Sequence, residues 1–184
     1  MIKRLSALAL ASLVGISAAH AAEQKTGPKA GDIAVFITDP FNSNQIGGMN
    51  LSTTTYNIGG FVIDDLMIYG GFRVLRASGD NAIGINAGAR YYIDFFKNSP
   101  VRTFIDGNLS VTDAELSVSG IAADARLISM GAFAGAEYLF TPNISLAARI
   151  GLTVTDVNTE ANNADGDTTV SNIGATDVTL NIYF

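Results

Sequence analysis

Asp106 and Glu137 are the carboxylates in this chain best placed for acid–base chemistry, because the alternation described below puts both on one face of a sheet, as a glycosidase pair requires. Four more acids, Asp156, Glu160, Asp165 and Asp167, crowd a stretch around Gly166, and oxygen-rich loops of that kind can hold Ca²⁺. The spacing, however, lacks the EF-hand pattern and its terminal Glu, so the stretch reads as a solvated external loop. The chain has no Cys and a single His, His20. Ser-His-Asp and Cys-His catalysis, thiolate metal sites and the usual zinc sites are thereby excluded once the segment carrying His20 is removed. No enzyme activity, metal or cofactor is expected. What remains is a set of seven charges, Arg73, Arg90, Arg102, Asp106, Glu137, Arg149 and Asp177, whose environment has to be read from the elements that carry them.

Those elements begin after an export signal. Lys3 and Arg4 precede an apolar run from Leu5 to Ala19, and Ala19-His20-Ala21 is a small-residue cleavage site, so residues 1–21 read as a secretory signal peptide. Its loss takes the formal charge from −6 to −8 and removes the only His. No basic cluster is present to neutralise phosphates, and a nucleic-acid partner is not expected. Residues 22–184 form one domain, with residues 22–30 as a flexible lead-in. Hydrophobic residues are 48% of the chain and charged residues only 15%, against about 25% in ordinary soluble domains. Lipid rather than water is expected to solvate part of the surface.

Alternation at period two runs through the whole domain. Ile144, Leu146, Ala148, Ile150, Leu152 and Val154 share one face against Ser145, Ala147, Arg149, Gly151 and Thr153. Ile83, Ile85, Ala87, Ala89, Tyr91 and Ile93 oppose Gly84, Asn86, Gly88, Arg90 and Tyr92. Val178, Leu180, Ile182 and Phe184 oppose Asp177, Thr179, Asn181 and Tyr183. Weaker alternation over 66–75, 101–111 and 128–140, with less regular segments at 33–38 and 52–63, brings the count to eight strands. The clean ones run to about 9 to 13 residues, long enough for a tilted strand to cross a bilayer. Short connections at 64–65, 94–100 and 141–143 alternate with long polar ones at 39–51, 112–125 and 156–172, with a short turn at 78–81 as the exception. The expected fold is all-β, an eight-stranded antiparallel transmembrane β-barrel with short periplasmic turns and longer external loops. The competing reading is a soluble sandwich or lipocalin-like barrel, in which the apolar parity would point inward. Phe61, Tyr91, Tyr92, Phe95, Phe96, Tyr138, Phe140, Tyr183 and Phe184 lie beside the short turns and the C-terminal end and are expected to form an interfacial girdle there.

Parity then sends the seven charges into the lumen. Eight strands enclose a lumen just wide enough to be filled by side chains, so an open pore is not expected and buried charges must be paired or wetted. Arg149 is expected to meet Asp177 or Asp106 at mid-height, and Glu137 to meet Arg102 or Arg90 nearer the periplasm. Such a network is either a salt-bridged plug or an ion-selective gate. A filled lumen leaves no room for a sugar between Asp106 and Glu137.

Gly88-Ala89-Arg90-Tyr91-Tyr92, the run from Glu137 to Ile144, and the terminal Leu180-Asn181-Ile182-Tyr183-Phe184 together resemble the small outer-membrane β-barrel domain family, which includes the OmpA-like and OmpW-like eight-stranded barrels. The resemblance spans about the whole domain, though each motif alone is weakly specific. It implies that Phe184, with Ile182, Leu180 and Val178 at alternate positions before it, is the signal read by the barrel-assembly machinery. It also implies residence in the bacterial outer membrane, with its lipids and lipopolysaccharide as surroundings. The chain stops at the barrel, so cell-wall anchoring through a further domain is not expected. The apolar residues of 39–51 either line the external mouth as a way in for small hydrophobic molecules, as in OmpW-like barrels, or extend the first two strands. Two roles follow: a structural or surface-interaction barrel, and a narrow porin-like channel or transporter for small ions or hydrophobic molecules.

Overall fold

A computed structural model of the chain describes residues 28–39, 43–46, 49–77, 80–93, 99–118, 121–161 and 164–184. The signal-peptide reading, Phe95 and Phe96 lie outside those residues. The strands are β1 (Ile33–Thr38), β2 (Ser43–Ile46), β3 (Met49–Ile63), β4 (Leu66–Ala77), β5 (Asp80–Ile93), β6 (Val101–Val118), β7 (Ile121–Thr141), β8 (Ile144–Ala161) and β9 (Ala164–Tyr183). Each pairs antiparallel with its neighbour, and β1 pairs with both β3 and β9, which closes the sheet. Because β2 lies against β3 above β1, the two act as one interrupted strand and the barrel has eight staves. No helix among the described residues is long and apolar enough to cross a membrane.

Side-chain parity settles which face is which. Ile58, Ile83, Ile85, Ile150 and Leu152 are all exposed on the outside, Ile85 by 69%, whereas the polar parity turns inward. A water-soluble barrel would bury those residues, so the lipocalin-like alternative fails.

Two expectations are corrected. The described residues of the long polar connections at 112–125 and 156–172 are strand: β6 and β7 pair from Val101↔Tyr138 up to Val118↔Ile121, and β8 and β9 continue to Ala161↔Ala164. These polar-rich stretches read as loops, yet the described residues carry the pleat on, with Thr112, Ala114 and Ala125 at buried positions. The β-branched Thr153, Thr155, Val157, Thr169 and Val170 still favour a pleated backbone, and the ladder satisfies its own hydrogen bonds. Of the two readings of 39–51, the backbone takes the strand extension, as β2 and the start of β3. The second correction concerns the girdle. Tyr91, Phe140 and Phe184 face outward, but Phe61, Tyr92 and Tyr183 are buried in the lumen, on the inward parity of their strands.

These rings form a core with Ala34, Phe36, Met67, Tyr69, Phe104 and Ala147 that fills the periplasmic half of the barrel. Inward glycines make room for it: a methyl group at Gly88 would overlap the Tyr69 ring, and one at Gly135 would press on Phe104. The wall is uneven. β1 pairs with β9 from Ala34↔Tyr183 to Thr38↔Thr179, extended at one end by the reciprocal backbone hydrogen bonds of Ile33 and Phe184 (3.1 and 2.8 Å) and at the other by one from Asp39 N–H to Val178 O of 2.8 Å. Above Val178, β9 pairs with β8 alone and β2 with β3 alone among the described residues, so no described ladder joins β9 to β2. At the same height β9 carries a bulge between Ala175 and Ile173, made by Gly174 at φ +85°, a conformation natural only to glycine.

Candidate functional site: the charged lumen

The inward positions of β4 to β9 place all seven sequence-selected charges in the lumen. Asp106 is the hub. Its Oδ2 accepts from Arg90 Nε at 2.9 Å, and its Oδ1 accepts from Arg149 Nη1 at 2.7 Å and from the Tyr69 hydroxyl at 2.8 Å. Arg149 also donates Nε and Nη2 to Asp177, each at 2.7 Å, so one guanidinium joins two carboxylates. Of the two partners expected for Arg149, the structure provides both.

Glu137 is held differently. Arg90 Nη1 lies 4.0 Å away, at the outer limit of an ion pair, while three hydroxyls donate to the carboxylate: Tyr92 at 2.7 Å, Ser145 at 2.5 Å, and Tyr183. Asn181 supports Ser145 with a 2.8 Å bond. Arg102, level with Glu137 across the β6–β7 ladder, sends Nη2 to Asp65 in the periplasmic turn at 3.3 Å. Asp65 was not singled out from sequence, since turn acids are ordinary. The hydroxyl partners were missed because Tyr92 and Tyr183 were read as interfacial rings.

Aromatic faces complete the network. The guanidinium carbon of Arg90 lies 4.2 Å from the centre of the Phe104 ring, that of Arg102 4.1 Å from Tyr92, and that of Arg149 4.1 Å from Phe133. A stacked arginine keeps its in-plane donors free for carboxylates, which explains how these charges tolerate burial. Arg90 and Glu137 have no exposed surface, and Asp106 is also buried. The acid–base reading of Asp106 and Glu137 therefore has no space for a substrate.

Arg73 stands apart. It lines a cavity of about 480 Å³ above the Asp106 hub, together with Thr38, Asp39, Asn108, Arg149 and Asp177. Its Nε is buried without a hydrogen-bond partner. On the β9 side the cavity is lined by Gly174, Ala175, Thr176 and Asp177, at the bulge where no described ladder joins β9 to β2. Below it lies a small void of about 20 Å³ of free space, about enough for one water. The lumen is thus a vestibule over a sealed floor. Among the described residues no group of His, Cys, Asp or Glu is arranged to hold a metal ion.

Comparison with known families decides the lineage: a profile described as "Outer membrane protein beta-barrel domain" matches residues 6–176. The chain belongs to that family. Solved structures agree on the fold of this outer membrane protein beta-barrel domain. It is similar to the N-terminal β-barrel domain of Pseudomonas aeruginosa OprF at 14% identity and a TM-score of 0.54, over 86% of this chain and 100% of that one. It is also similar to Neisserial surface protein A at 19% identity and a TM-score of 0.51, over 83% and 94% of the two chains. No curated protein matches the chain. As a member of the outer membrane β-barrel family, the protein places Val178, Leu180, Ile182 and Phe184 on the lipid-facing side of its last strand.

Proposed function

We propose that this outer-membrane barrel is structural: a frame, not an enzyme, that holds the β6–β7 and β8–β9 hairpins clear of the lipid for contact at the cell surface. The observation that carries this reading is the floor of the lumen, where Arg90 and Glu137 are fully buried among Phe36, Tyr92, Phe104 and Tyr183. An eight-stranded barrel filled in this way has no continuous water path, and its charges act as a stabilising plug. In this reading residues 1–21 are a signal peptide removed on export. The outward row ending at Phe184 is read by the barrel-assembly machinery, and the hairpin acids contact lipopolysaccharide through divalent cations.

The test is single-channel recording of the folded protein in planar bilayers, with Arg149→Ala and Asp177→Ala beside the parent. Silence from protein shown to be folded by its heat-dependent gel mobility supports the frame. Discrete steps whose size or selectivity changes in the variants would replace it with a gated pore. The unpaired edge of β9 above Val178 favours a second reading, a lateral route there between β9 and β2. Its walls carry Thr38, Asp39, Arg73, Thr153, Asn172 and Asp177, which suit small polar solutes better than hydrophobic ones.

A further inference from the structure

Beneath the vestibule, the residues around the smaller void leave two hydrogen-bonding atoms unanswered. On the inward side of β4, Gly71 stands between Tyr69 and Arg73, and its register partners on β3 and β5 are Asn57 and Asn86. No side chain rises from Gly71, where a methyl group would strike Tyr56 O and the Asn57 amide. The Asn86 amide therefore reaches across β4, and its Nδ2 donates to Asn57 Oδ1 at 2.6 Å. The void of about 20 Å³ lies among Asn57, Tyr69, Arg73 and Asn86, with Thr55 and Asn108 also in its wall.

That one bond fixes what the Asn86 amide still offers. With Nδ2 turned to Asn57, the other end is Oδ1, a buried acceptor without a hydrogen-bond partner. Rotating the amide gives no relief, because Asn57 Oδ1 would then face another oxygen. Arg73 Nε is a buried donor, also without a hydrogen-bond partner. Every other lumen arginine has a carboxylate within 4.0 Å, whereas Arg73 has no ion pair among the described residues. A donor and an acceptor that face one small polar void have each lost their hydration with no protein group to replace it.

The size and lining of the void decide its occupant. A buried water needs roughly 10–15 Å³ of such space and about two to four polar partners, and cavities that stay dry are apolar. This wall is mostly polar. A cation would meet Arg73 and Arg149, which both line the void, and an anion is larger than the space. Water is small, uncharged, and both donor and acceptor.

We infer that the void is the site of a single structural water, which accepts from Arg73 Nε and donates to Asn86 Oδ1. Arg73, Thr38, Thr55, Asn108 and Arg149 line both the vestibule above and the void below. The water thus pins the Arg73 guanidinium from beneath and makes it the partition at which free solvent ends. That last point rests on the sealed floor of the frame reading, but the water site itself does not.

The experiment is NMR of the folded, deuterated protein in lipid nanodiscs, reading magnetisation transfer from water to the arginine Nε–H signals. The Arg73 signal is assigned by its disappearance in Arg73→Lys. A long-held water gives laboratory-frame and rotating-frame cross-peaks of opposite sign, whereas passing solvent or proton exchange gives the same sign in both. Opposite signs are expected for Arg73. Asn86→Leu, which removes the acceptor and fills the void, is expected to lose the cross-peaks, with its fold checked by heat-dependent gel mobility. Thr55→Val and Tyr69→Phe, which remove nearby hydroxyls and keep the acceptor, are expected to retain them. The inference is overturned by absent transfer, by the same sign in both frames, by cross-peaks that persist in folded Asn86→Leu, or by their loss with either hydroxyl. Bilayer recording separates this from the frame reading: conduction with a long-held water beside Arg73 refutes the frame alone, and silence without one refutes the water alone.

Discussion

Replacing Asp106 with Asn distinguishes a dry, salt-bridged lumen from a wetted one. Asp106 is unexposed and accepts three hydrogen bonds, two from guanidinium groups at 2.9 and 2.7 Å and one from Tyr69 at 2.8 Å. The arginines would not suffer equally. Arg149 keeps its two bonds to Asp177, but Arg90 is left with Glu137 at 4.0 Å as its nearest carboxylate. The loss is therefore close to orphaning one buried arginine, about 3–5 kcal/mol. Asp177→Asn should cost less, about 1–2 kcal/mol, because Asp177 is partly exposed and Arg149 retains Asp106. Both are measured from urea unfolding in lipid vesicles, followed by the cold-gel mobility difference between folded and unfolded chain. Tyrosine emission serves as a second probe, since the chain has no Trp. A loss below about 1 kcal/mol for Asp106→Asn would mean that water already solvates Arg90, and the sealed floor would be refuted.

Three further outcomes are expected. Ile150→Arg, on the lipid-facing side at mid-height, should cost about 2–4 kcal/mol in the same unfolding assay, while Asn158→Arg in the emergent hairpin should change little. Gly88→Ala should push the Tyr69 ring off Asp106 and cost about 1–3 kcal/mol, with the displaced tyrosine visible by NMR. Arg126→Ala or Asp113→Ala breaks a 3.7 Å pair whose side chains are 61% and 78% exposed, and unfolding should shift by no more than about 0.5 kcal/mol.

The membrane-spanning part of the barrel was legible because lipid enforces a strict rule. Residues such as Ile83, Ile85, Ile150 and Leu152 must face out, and with period two this fixes Arg90, Asp106, Arg149 and Asp177 inside. The rule stops where lipid stops, which is why 112–125 and 156–172 read as loops although their described residues are strand. Aromatic residues were ambiguous for another reason. Tyr91 and Tyr92 are both near the rim and both amphipathic, and only strict parity separates the lipid-facing ring from the one that donates to Glu137. Asp39 was invisible in its role, because a strand that ends at mid-wall depends on which neighbour the following segment chooses, and β2 chooses β3.

That choice bears on the order in which the molecule is made and undone. Neighbouring hairpins such as β6–β7 are zipped by 18 residue pairs formed locally. Closure of the cylinder depends on five ladder pairs between β1 and β9, with the backbone hydrogen bonds of Ile33 to Phe184 and of Asp39 to Val178 at their ends, and it includes the contact of Thr38 with Thr179, 141 residues apart in the chain. A junction that is both short and distant in sequence forms late and parts early. The lifetime of the folded protein in the membrane is then set at this junction, by the rate at which it unzips, whatever the strength of the charges further inside.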